Sequence, residues 1–196
     1  MLKENEKILF VDLETGGIDP LTHSILSIGL VVWSDLNIVD SLELCVNDGV
    51  LNVTSEALEI NKINLETHKK KSLSSKQAIE KVLFFIQQHF EANEKITLAG
   101  HNVNFDVNFL RYFFKKNNVD FNAYFSHRFI DTSSILYYLY FSGKLKKKCV
   151  SSDEAFQYFR ISVSKRHTAL DDAKATAELF NKLLVLESLP EHQLMN

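Results

Sequence analysis

The chain predicts an α/β fold: a mixed sheet with helices on both faces. Three observations point there. An apolar run near the start, Ile8-Leu9-Phe10-Val11, is continuous rather than alternating, as expected of a strand covered on both faces. Two further β-rich runs follow, joined by a short polar turn, so the first strands pair in antiparallel fashion. After them strand and helix signals alternate, the pattern of a sheet flanked by helices.

The elements follow in order. Lys7 to Leu13 reads as the first strand, and Thr15 to Pro20, with Gly16, Gly17 and Asp19, as a turn. Ser24 to Trp33 and Ile38 to Val46 form a hairpin around Ser34-Asp35-Leu36-Asn37. Ser74 and Ser75 are N-cap residues for a helix to about Phe90. Its Ile79, Val82, Leu83, Ile86 and Phe90 make an apolar stripe at helical spacing. Ile96 to Ala99 is a short strand, Gly100 to Asn104 a loop, and Phe105 to Lys116 a helix burying Phe109, Leu110 and Phe113. The apolar pair Phe129-Ile130 leads into a helix near Ser133 to Phe141. Ser152 caps the segment to Phe159, with Asp153 and Glu154 in the dipole-favoured first turn. The last helix runs from about Thr168 to Glu187.

The 196 residues carry no repeat and no low-complexity linker, so the expectation is one domain over 1–196, with a core from about 7 to 187 and a short C-terminal tail. A net charge of −3 gives no overall basic field. Bound divalent cations would reverse the local sign, so that charge excludes no anionic partner. Cys45 and Cys149 are too few for a disulfide framework and lie outside any metal-ligand spacing, as in a protein with two reduced thiols. The N-terminus is charged and shows no signal-peptide pattern. The longest apolar stretches, such as Ile25 to Trp33, are shorter than a membrane span. A cytoplasmic protein without a membrane partner is expected.

Four acids and one histidine stand out. Residues two apart in a strand share a face, so Asp12 and Glu14 point the same way, with Leu13 opposite. Two carboxylates side by side repel each other unless a cation intervenes. Asp106 opens a helix directly after a strand and the polar loop His101 to Phe105, and sites of open α/β sheets gather at such carboxyl ends. Asp172 lies in the first turns of the last helix, where Ala169, Ala173 and Ala177 form a small-residue face that allows close approach to the sheet. His167 precedes that helix in a Ser-Lys-Arg-His loop.

Phe-Val-Asp12-Leu-Glu14-Thr-Gly, then His101-Asn-Val-Asn-Phe105-Asp106, then His167-Thr-Ala-Leu-Asp-Asp172-Ala resemble, in order, the three exonuclease motifs of the DEDDh 3′→5′ exonucleases. That family includes RNase T, oligoribonuclease and the proofreading epsilon subunit of bacterial DNA polymerase III. The likeness spans Ile8 to about Leu184. It implies an RNase H-like fold, a five-stranded mixed sheet flanked by helices. A sister class has tyrosine four residues before the last aspartate; here that residue is Thr168, and His167 stands five before. The spacing selects Asp172 as the ligand and leaves Asp171 as a surface helix residue.

The resemblance also implies two Mg²⁺ (or Mn²⁺) ions, which suit carboxylate oxygens. By the same likeness Asp12 bridges both ions, Glu14 and Asp172 complete one site, and Asp106 anchors the other. His167 takes a proton from the attacking water, a task fitted to a side chain that titrates near neutrality. Leu13, Thr15, Asn102 and Phe105 are expected around the terminal nucleotide, and Ile60-Asn61-Lys62-Ile63 beside its base. Family members often carry glycine where Lys62 stands and threonine where Gly16 stands. Basic runs offered to the strand are Lys69 to Lys71, Lys115-Lys116, Lys144 to Lys148 and Lys165-Arg166, with Arg166 favoured because it adjoins His167.

The expected function is a stand-alone 3′→5′ exonuclease releasing nucleoside 5′-monophosphates from single-stranded DNA or RNA 3′ ends. Alternatives are a polymerase-associated proofreading nuclease, a short-oligoribonucleotide hydrolase, and a nucleic-acid-binding scaffold that has lost catalysis. The chain ends soon after its last helix, which favours a stand-alone enzyme over a polymerase subunit. Asp-Leu-Glu-Thr lacks the methionine of oligoribonuclease, and all five active-site residues disfavour the scaffold. Several relatives are dimers, so a homodimer stays open.

Overall fold

A computed structural model describes residues 6–164 and 167–188. β1 (Lys7–Thr15), β2 (Ile25–Ser34) and β3 (Asn37–Asn47) form an antiparallel meander. β5 (Ile96–Gly100) lies parallel to β1, and β6 (Phe125–Asp131) parallel to β5. With the two-residue β4 (Leu73–Ser74) on β3, the sheet order is β4-β3-β2-β1-β5-β6. The expected five-stranded mixed sheet is thus extended to six by this short edge piece.

The hairpin foreseen around Ser34 to Asn37 closes more tightly, through two residues, with φ of 52° at Asp35 and 65° at Leu36. Positive φ at both central positions matches the right-handed twist of the flanking strands. Leucine is costly there, and Asn181 of the last helix steadies the turn. Its amide donates to the Leu36 carbonyl, and its oxygen accepts from the Trp33 indole.

The helices are α1 (Ser55–Asn61), α2 (Leu65–Lys71), α3 (Ser75–His89), α4 (Asn104–Lys116), α5 (Phe121–Tyr124), α6 (Thr132–Phe141), α7 (Ser152–Tyr158) and α8 (Ala169–Ser188). On one face, Leu9, Val11, Leu13, Ile28 and Leu30 pack against α3 and α4 through Val82, Phe85, Phe109, Phe113 and Phe114. On the other, Ile8, Phe10, Val31 and Trp33 meet Ala173, Ala177 and Phe180 of α8. α6, α7 and α8 enclose a further cluster around Leu136, Leu139, Phe156 and Leu179.

Three expectations are corrected. The cap of α7 is Ser151, not Ser152: Ser151 Oγ accepts from the Glu154 N–H while the Glu154 carboxylate accepts from Ser151, a reciprocal capping box. Asp171 is half-buried rather than at the surface, because its carboxylate accepts from the Thr168 hydroxyl at the start of α8. β6 extends well beyond the pair Phe129-Ile130. Cys45 and Cys149 are both free thiols. Among the described residues no helix is long and apolar enough to cross a membrane.

Candidate active site

Alternation along β1 places Asp12 and Glu14 in the row begun by Ile8 and Phe10, on the face covered by α8. What brings α8 so near is a residue the sequence reading passed over. Gly29 stands opposite Asp12 in the β1–β2 register. A Cβ there would lie 2.3 Å from the backbone carbonyl of Ala169, so the first turn of α8 rests directly on bare strand. A glycine inside an otherwise apolar strand is the signal of such an approach. Asp172, one turn into α8, thereby joins the β1 pair: ligand oxygens of Asp12, Glu14 and Asp172 all lie within 4.8 Å of one another.

Asp106 reaches the site from the opposite face. β1 and β5 pair only from Ile8 to Phe10, and beyond that the strands part. Into this gap α4 inserts Asp106, whose carboxylate accepts the Leu13 N–H at 2.9 Å. Gly100 permits the crowding, since a Cβ there would come 2.9 Å from the Val11 carbonyl. Burial pushes the Asp106 carboxyl up to about 8, against the pull of the Leu13 N–H, and the nearby Glu14 and Asp131 charges add to the rise. Asp106 is not among the three carboxylates whose oxygens lie within 4.8 Å of one another.

His167 precedes α8 in a left-handed backbone conformation (φ 63°), its N–H donating to the Asp172 carboxylate at 3.2 Å. It shares with Glu14 and Thr168 the wall of a cleft of about 300 Å³. Lys165 and Arg166, offered to the strand on sequence grounds, lie outside the described residues.

On the other side of Glu14 opens a cleft of about 470 Å³, walled by Leu13, Thr15, Ile18, His23, Ile60, Asn61 and Phe105 among others. Leu13, Thr15, Ile60, Asn61 and Phe105 thus come together, whereas Asn102 does not line this cleft. Asn102 is exposed at φ 58° with its N–H bound to the Asp131 carboxylate. Asn61 is buried and spends its amide on the chain: it donates to the Thr15 carbonyl and accepts from the Ile63 N–H. Phe105 packs on Phe109 with ring centroids 5.0 Å apart and also lines the cleft.

Lys62 caps α1 at φ 55°, the left-handed conformation that glycine adopts freely. The lysine is strained at this position, where glycine would not be. Gly16 is required by its neighbour, because a Cβ there would meet the Asn52 carbonyl at 2.1 Å. Ile18, His23, Thr54, Glu56 and Ala57 also line the cleft and were not foreseen. α1 carries two of them, Glu56 and Ala57, and its sequence signal is the N-cap Thr54, whose hydroxyl accepts from the Ala57 N–H.

The donor set suits a hard divalent cation. It is all carboxylate oxygen, without thiolate or imidazole in the cluster, and Asp172 is 8% exposed. Crowded, partly buried like charges are costly unless a cation neutralises them.

Comparison with known proteins points to one family. Residues 9–180 match the family model described as exonuclease. A DNA polymerase III PolC-type of Thermotoga petrophila is 30% identical over 177 residues, 90% of this chain but 12% of that protein. Ribonuclease T of Wigglesworthia glossinidia brevipalpis is 24% identical over 185 residues, 89% of this chain and 82% of the relative. Among solved structures, the nuclease domain of 3′hExo, a DEDDh family member bound to rAMP, superposes with a TM-score of 0.73. It is 17% identical and the match covers 93% and 94% of the two chains. E. coli Exonuclease I in complex with a dA16 oligonucleotide gives a TM-score of 0.73 at 16% identity, over 97% of this chain and 42% of the other.

Proposed function

This chain belongs to the exonuclease family, and from that premise we propose that it is a stand-alone DEDDh-type 3′→5′ exonuclease acting on single-stranded DNA or RNA ends. One observation carries the reading: three carboxylates lie within 4.8 Å of one another, and one of them, Glu14, also lines an apolar cleft of about 470 Å³. Such a cleft suits a single terminal nucleotide, and its Glu14 wall puts the adjoining phosphodiester at the carboxylates. The rAMP held by 3′hExo and the dA16 strand held by Exonuclease I support a terminal nucleotide and a single strand as the occupants here.

Asp12, Glu14 and Asp172 would hold one divalent cation, and Asp12 with Asp106 a second. Mg²⁺ or Mn²⁺ there would supply Lewis acidity and charge neutralisation at both the attacking and the leaving oxygen. The chain's own residues do the rest. Leu13 and Phe105 pack on the terminal nucleoside, and Ile60, 62% exposed at the cleft rim, wedges beside its base. Asn61 holds the Thr15 carbonyl and thereby the turn after β1. His167, across Glu14 from the nucleotide cleft, accepts a proton from the attacking water, and the product leaves as a nucleoside 5′-monophosphate.

A second reading is favoured by the PolC-type relatives: the same chemistry serving a replicative polymerase. The chain spans about 12% of the length of the first of them.

The test is digestion of matched 3′-labelled DNA and RNA single strands with Mg²⁺ or Mn²⁺. Wild type is expected to shorten them and Asp12→Ala to abolish cutting. Binding without cutting in either metal would replace the hydrolase by a scaffold.

A further inference from the structure

The face of α6 turned away from the core carries more aromatic surface than the fold uses. Leu136 and Leu139 are fully buried against the α8 cluster, together with Leu145 and Cys149 from the following loop. Tyr137, Tyr138 and Phe141 stay outside at 39%, 60% and 79% exposure. Tyr137 and Phe141, four residues apart and so on one helix face, hold their rings within 13° of parallel with centroids 6.3 Å apart. The Lys148 ammonium lies 5.1 Å from the Tyr137 centroid.

The charge beside these rings is positive. Lys144, Lys146, Lys147 and Lys148 fall within five residues of a chain whose net charge is −3, and the last three are exposed. Of the two acids that open α7, Asp153 and Glu154, the latter is engaged by Ser151. Both ends of this surface are tied to the loop that leads to Asp106. The Thr132 hydroxyl, at the start of α6, pairs with His101 Nδ1, and the Val150 carbonyl accepts from His101 Nε2, each at 2.9 Å. Tyr137 is five residues along α6 from Thr132, about 7–8 Å by helical rise. Lys148 is two residues from Val150, at most about 7 Å of chain. Thr132 and Val150, which flank the aromatic–lysine surface in sequence, thus both hydrogen-bond to His101, five residues before Asp106.

We propose that Tyr137, Tyr138, Phe141 and Lys146 to Lys148 form a second contact for the substrate strand, gripping the segment 5′ of the nucleotide held in the cleft. The proposal rests on the exonuclease reading and adds a surface to it. Flat aromatic faces stack on bases of any sequence, and flexible lysines follow the phosphates. Lys146, Lys147 and Lys148 are exposed beside the rings, and their charge complements a phosphate backbone although the chain as a whole is acidic.

The test compares wild type, Tyr137→Ala/Phe141→Ala and Lys146→Gln/Lys147→Gln/Lys148→Gln on two ligands. One is a single strand longer than the roughly 4–16 nucleotides such surfaces cover, its affinity measured with divalent metal chelated. The other is a dinucleotide, too short to reach α6, followed by its rate of cleavage. The aromatic pair variant is expected to bind the long strand about tenfold more weakly. The lysine variant is expected to flatten the slope of log affinity against log salt by roughly 2. Both should cleave the dinucleotide at the wild-type rate. Long-strand affinity equal to wild type in both variants overturns the proposal and leaves this face to a protein partner. A wild type that cuts neither ligand, with weakened binding in the variants, sinks the exonuclease reading and keeps the surface. Should the double variant lose its thermal transition, Phe141→Ala alone decides.

Discussion

The two faces of the sheet are packed on different terms. Against α3 and α4 the contact is thick: Phe109, Phe113 and Phe114 fill the gap, and Phe114 meets Phe121 and Phe125 edge-on. Against the first half of α8 the contact is thin, with Ala169, Ala173 and Ala177 fully buried and Gly29 offering no side chain. A thick contact buries apolar area and sustains stability. A thin one buries less but lets a helix-borne carboxylate stand among strand-borne ones. The site lies where these regimes meet: Asp172 arrives through the thin contact, while Asp106 comes from the thick face through the gap between β1 and β5.

The comparison breaks most visibly at Gly29. Gly29→Val would drive its side chain into the Ala169 backbone and lift the start of α8. Misplacing catalytic groups by about 1 Å costs on the order of a hundredfold in rate, so turnover per folded molecule should fall by at least that factor. Steady-state kinetics on protein shown to be folded by circular dichroism reads it. Full activity in Gly29→Val would show that the thin contact does not set the carboxylate spacing.

The complementary change is Phe114→Ala on the thick face. A buried phenylalanine lost to a cavity costs about 3–5 kcal/mol. Denaturant unfolding should show that loss while turnover per folded molecule stays at the wild-type level. A comparable fall in turnover would mean that the two faces are not separable.

Much of this arrangement was legible in the sequence because it follows simple periods. Alternation placed Asp12 and Glu14 on one face, and the alanine row announced the close approach of α8. What stayed hidden depends on partners far along the chain. Nothing local to Gly29 says that Ala169 lies on it. α1 and α2 are seven residues each and mostly exposed, so they lack the apolar stripe that reveals a helix. Their only marks are the caps Thr54 and Asn64. β6 was shortened to Phe129-Ile130 because Ser126, His127 and Arg128 interrupt its apolar pattern on an exposed stretch. The cleft beside Glu14 is legible in part for the same reason: Leu13, Thr15, Ile60, Asn61 and Phe105 follow from the resemblance, whereas Thr54, Glu56 and Ala57 depend on α1 being a helix.

The smallest effect that still separates the faces is at Thr168. Its hydroxyl donates to the Asp171 carboxylate at 3.1 Å and lies 3.4 Å from the Asp171 N–H, and its carbonyl accepts the Asp172 N–H. This reciprocal cap fixes the turn that carries both His167 and Asp172. Thr168→Ala should cost about 1 kcal/mol of stability, the usual value of an N-cap hydroxyl. A cap on the thick face offers the control, because Ser74 closes a capping box with Gln77 at the start of α3, away from the carboxylates. Ser74→Ala should lose similar stability with no change in rate, whereas Thr168→Ala should lose rate as well, and Thr168→Ser should restore both. Equal kinetics in the two alanine variants would mean that Gly29 alone orients the turn and that the cap merely ends a helix.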